Sequence, residues 1–67
     1  MKLDLHGVKH MDVEIIVENF IFSHTPPLYI ITGNSSKMKE IVISVLNSND
    51  FKWLIKTSNL GEIIILG

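Results

Sequence analysis

Leu28-Tyr29-Ile30-Ile31-Thr32 is apolar almost throughout, with Pro26-Pro27 before it and Gly33-Asn34 after it. A short run of this kind, without polar alternation, reads as a strand inside a parallel sheet. It has a helical pattern on either side. From about Lys9 to His24, Val13, Ile16, Val17, Phe20 and Ile21 recur at helical spacing, and from about Ser36 to Leu46 so do Met38, Ile41, Val42 and Val45. Asp12 and Glu14 lie in the first turns of the earlier helix, where negative charge suits the helix dipole. Thr25-Pro26-Pro27 stops that helix, and Asn47-Ser48-Asn49-Asp50 breaks the later one. Ile15 and Phe22 fall off the apolar stripe; they read either as covered by a broader contact or as part of an interface.

Three further strands complete the pattern. Lys2 to His6 alternates, sending Leu3 and Leu5 inward and Asp4 and His6 outward. Phe51 to Lys56 alternates with Phe51, Trp53 and Ile55 inward, and its outward lysines, Lys52 and Lys56, mark an edge. Ser58-Asn59-Leu60-Gly61 is a turn, and the apolar run from Glu62 to Leu66 belongs in the middle of a sheet. Strands joined through a helix are parallel with right-handed crossovers, so both helices fall on one face. The expected fold is therefore α/β, an α+β two-layer sandwich of order βαβαββ, with a four-stranded mixed sheet of spatial order 1-2-4-3. The other sheet face is left open and partly apolar, which favours a homodimer or a protein partner there.

Size sets the scale of the core. The chain has 67 residues and no cysteine, so a single domain over residues 1–67 must hold together without disulfides. A domain this small buries only about 60% of its unfolded surface. No stretch has the length and apolarity of a membrane span or the pattern of a signal peptide, and a soluble cytoplasmic protein is expected. The formal net charge of −1 supplies no global attraction to nucleic acid, so any such binding must come from a local patch. His6, His10 and His24 are well separated and form no metal pattern, and the sequence requires no cofactor. His10 and His24 read as surface residues, and Trp53 reads as core.

Candidate chemistry gathers at two strand ends. Parallel pairing of the first two strands sets Asp4 and His6 beside Thr32, Gly33 and the start of the second helix. His6 is suited to proton transfer, and Asp4 to orienting it or the attacking group. Gly7 lets the chain turn away at once. The amides of a helix start, with Gly33, Asn34 and the hydroxyls of Ser35 and Ser36, suit a phosphate oxygen, and Lys37 and Lys39 add positive charge. Without further information, Asp4 and His6 read equally well as outward polar residues of an edge strand, and Gly33 to Ser36 as a plain turn and cap.

Leu3-Asp4-Leu5-His6-Gly7, followed by Asp12-Val13, resembles the signature opening of the small MutS-related (Smr) domain. Thr32-Gly33-Asn34-Ser35, followed by Met38-Lys39, resembles that family's second motif, which is generally His-Gly-x-Gly. The likeness spans essentially the whole chain. It implies a two-layer fold similar to the carboxyl-terminal domain of the third translation initiation factor. It also implies nucleic-acid binding, often with endonuclease activity on DNA or RNA, with the motif's Asp and His at Asp4 and His6 and its glycine at Gly33. Thr32 stands where many members carry a second histidine, and Ser35 where they carry a second glycine. Those departures bear on cleavage more than on binding. The resulting expectation is a nucleic-acid-binding domain, with an interaction module acting through the open sheet face as the alternative.

Overall fold

β2 (Leu28–Ile31) takes the interior place its composition demands. In the computed structural model, which describes residues 1–67, it pairs in parallel with β1 (Lys2–Asp4) and antiparallel with β4 (Glu62–Ile65). β3 (Trp53–Leu54) pairs antiparallel with β4 and closes the sheet at order β1-β2-β4-β3. This is the expected four-stranded mixed sheet. The helices α1 (His10–Ser23) and α2 (Ser36–Ser48) connect β1 to β2 and β2 to β3.

Register assigns the two sheet faces. Leu3, Ile30 and Ile63 lie side by side, as do Leu28, Ile65 and Trp53, and these rows face the helices. Val13, Val17, Phe20 and Ile21 of α1 and Met38, Val42, Val45 and Leu46 of α2 close over them in one continuous core. Burial of each such side chain stabilises the fold by roughly 1.5–3 kcal/mol. The opposite face carries Tyr29, Ile31, Leu54 and Ile64 together with Lys2, Asp4 and Glu62. Lys2 and Glu62 form an ion pair at 3.5 Å. Since β2 lies between their strands, this pair reaches across β2 and partly covers the open face.

Several boundaries differ from those read in the sequence, each for a local reason. β1 stops at Asp4 rather than His6, because the Asp4 carboxylate accepts the His6 amide at 2.9 Å and turns the chain. Leu5 still donates to the Ile31 carbonyl at 3.0 Å and is buried. β3 shrinks to two residues at the sheet edge, although Phe51, Trp53 and Ile55 pack inward as expected. Trp53 is half-buried, and its indole donates to Asn47 Oδ1 at 2.9 Å. His24 is not a free surface residue. It is half-buried, its ring lies 5.0 Å from that of Phe20, and its Nδ1 is 3.1 Å from the Phe20 carbonyl. Ile15 and Phe22 are covered by no broader contact, being 61% and 66% exposed.

α2 continues to Ser48, past the Asn47 at which a break was expected, because its end is built as a Schellman motif. Phe51 donates to the Leu46 carbonyl at 2.9 Å and Asp50 to that of Asn47 at 3.2 Å. Asp50 occupies the left-handed position with φ 59°. Glycine adopts that conformation without the side-chain penalty. Asp50→Gly should therefore raise stability by about 1 kcal/mol, read as a higher urea midpoint with unchanged slope.

Candidate functional site

β4 runs antiparallel to both of its neighbours, so β1, β2 and β3 all point the same way. Their carboxyl ends and the start of β4 thus meet at one sheet edge. That edge collects Asp4 to Gly7, Thr32 to Ser36, and the turn from Lys56 to Gly61. Backbone bonds tie the last two segments together: the Thr32 and Gly33 amides both donate to the Gly61 carbonyl, at 2.8 and 3.1 Å.

Asp4 and His6 are both exposed at this edge. One carboxylate oxygen of Asp4 is engaged by the His6 amide, not by its ring. The imidazole has no partner within the protein and is open to a ligand, and the second carboxylate oxygen is likewise unengaged. Asp4 thus fixes the backbone from which His6 projects. Gly7, at φ 80°, carries the chain away in a turn closed by the Val8 amide on the Leu5 carbonyl at 3.0 Å.

The second segment divides into inward and outward groups. Thr32 is only 8% exposed, and its hydroxyl lies 3.2 and 3.3 Å from the carbonyls of Gly33 and Gly61. It is held inside the corner instead of facing outward beside His6. Gly33 has φ 64°, and a Cβ at Gly61 would meet the Gly33 backbone at 3.3 to 3.5 Å. Gly61 therefore allows the β2–α2 corner and the β3–β4 turn to touch main chain to main chain, while Gly33 supplies the left-handed turn of that corner. Ser35 is the N-cap of α2, accepting the Met38 amide on its hydroxyl at 3.1 Å, while its carbonyl accepts the Lys39 amide. The amides of Asn34, Ser35, Ser36 and Lys37 have no acceptor in the protein. These four consecutive donors lie at the positive end of the helix dipole.

Charge at the edge is mixed. Lys37 is exposed and Lys39 half-buried on the first turns of α2, and Lys56 is exposed just beyond β3. A shallow depression of about 540 Å³ runs along the outer side of α2, but it is lined by that helix alone and shares only Ser36 and Lys39 with the site. Lys56 and Gly61 did not stand out in the sequence as part of the site. Their signal was the antiparallel hairpin itself, which returns the chain to the edge where β1 and β2 end. No family model, curated protein or solved structure matches the chain.

Proposed function

We propose that this chain is a nucleic-acid-binding domain of the small MutS-related type, holding a phosphodiester of RNA or DNA at the common edge of β1 and β2 and acting on it through Asp4 and His6. The observation that supports this reading best is the run of four unengaged amides from Asn34 to Lys37 at the edge that carries the unpartnered His6 imidazole. Backbone amides at a helix start bind phosphate oxygens without reading sequence. Lys37 and Lys39 add the local positive charge that the chain as a whole lacks. His6 serves as general acid or base towards the held phosphodiester, and Asp4 positions it. The open sheet face supports a protein partner less well, because the Lys2–Glu62 pair already lies over β2.

Fluorescence anisotropy with single-stranded RNA, duplex RNA and DNA, each over a salt series, tests the binding. Affinity should fall as salt rises. Lys37→Gln and Lys39→Gln should each flatten the log–log slope by about 0.7–0.9. A folded protein that binds none of the three, or binds without salt dependence, would remove the proposal.

A further inference from the structure

α1 is apolar on two sides. Val13, Val17 and Phe20 enter the core, whereas Met11, Ile15 and Phe22 are 84%, 61% and 66% exposed. At 3.6 residues per turn the exposed three fall within about 40° of one another, directly opposite the core side. Together they form an apolar seam about three turns long. The seam is preorganised at one end, where the Phe22 ring meets Phe51 edge-on at 5.8 Å.

The charges bordering this seam have one sign. Glu14 and Glu18 follow one flank and Asp12 the other. The small groove that Glu14 and Glu18 share with α2 is completed by Ser44, Val45, Ser48 and Asn49, none of which is charged. A second copy packed on this stripe would bring acidic flanks together, and like charges set opposite one another are unfavourable. Nucleic acid would meet the same repulsion. We infer that the outer side of α1 docks an amphipathic helix of another protein, one whose apolar stripe is bordered by lysine or arginine. Met11, Ile15 and Phe22 give the apolar contact, and Asp12, Glu14 and Glu18 set its charge preference. The site shares no residue with the edge that carries Asp4 and His6.

The test uses the whole chain and three synthetic peptides of about three heptads. One has leucine at a and d with lysine at e and g, one is a scramble of the same composition, and one carries glutamate at e and g. The basic amphipathic peptide should bind and shift the backbone resonances around Met11, Ile15 and Phe22. Ile15→Glu, at an exposed position, should weaken it about tenfold or more with the fold intact. The double variant Glu14→Lys, Glu18→Lys should transfer preference to the glutamate peptide. The inference falls if the basic peptide does not bind, if the scramble binds as well, or if charge reversal leaves the preference unchanged. A homodimer in sedimentation that Ile15→Glu disperses would equally overturn it, assigning the seam to a second copy.

Discussion

Ile30→Ala should leave much of the population unfolded at room temperature. Ile30 lies at the centre of β2, is 0% exposed, and is flanked in register by Leu3 and Ile63 beneath both helices. Truncation there removes packing on a strand with neighbours on either side and a helical layer above, leaving little freedom for collapse. Such substitutions cost about 2–5 kcal/mol. A core in a chain this short rarely supplies more than about 3–5 kcal/mol in total. The loss is therefore comparable to the entire stability. Ile31→Ala, one residue further along and on the open face, should cost about 1 kcal/mol or less. Urea denaturation followed by circular dichroism compares the two. Equal losses would contradict the assignment of Ile30 to the covered face and Ile31 to the open one.

The second large effect concerns chemistry at the edge. If the proposed role is right, His6→Ala should reduce phosphodiester cleavage by about 10²–10⁴-fold, the usual contribution of a positioned acid or base. Binding should persist, because the Asn34 to Lys37 amides are untouched. Asp4→Ala should fall with it, and both variants should fold, since each side chain is exposed. Asp4→Asn separates two contributions of this residue. Its amide oxygen can still accept the His6 main-chain N–H and keep the turn, but the negative charge is gone. Activity retained in Asp4→Asn would reduce Asp4 to a turn former; activity lost would assign the charge a part in the reaction. A wild type that binds RNA and DNA and cleaves neither would remove the catalytic roles and leave the binding domain.

Much of the architecture was legible because it depends on periodicity over several residues. The unbroken apolarity of Leu28–Ile31 and Ile63–Ile65 placed both strands in the interior, helical spacing on either side of β2 identified the two helices, and right-handed crossovers placed both on one face. These patterns determine the 1-2-4-3 order. Residues governed by a single local bond were harder to read. The sequence shows Asp4 and His6 two positions apart on a strand, but not that the carboxylate bends the chain by taking the His6 amide. His24 gives no sign that it will lie against Phe20, since its burial depends on how the chain leaves α1. Thr32 illustrates the same difficulty at the candidate site. Its inward hydroxyl depends on the Gly61 carbonyl, 29 residues away and brought close only by the hairpin.

The main-chain joint at Gly61 leaves Thr57 and Ser58, at the tip of that hairpin, structurally spare. Thr57, Ser58, Asn59 and Leu60 are exposed, but Asn59 is tied in: its amide donates to the Lys56 carbonyl at 3.1 Å, and its side-chain oxygen and carbonyl accept the Gly61 and Glu62 amides at 3.3 and 3.4 Å. Extra residues inserted between Thr57 and Ser58 would open the Lys56–Asn59 turn but leave the bonds from Asn59 onward, and so the anchored base, in place. The tip is thus a grafting point, where a longer loop could be installed beside the Asp4–His6 edge to give this small scaffold a choice of target.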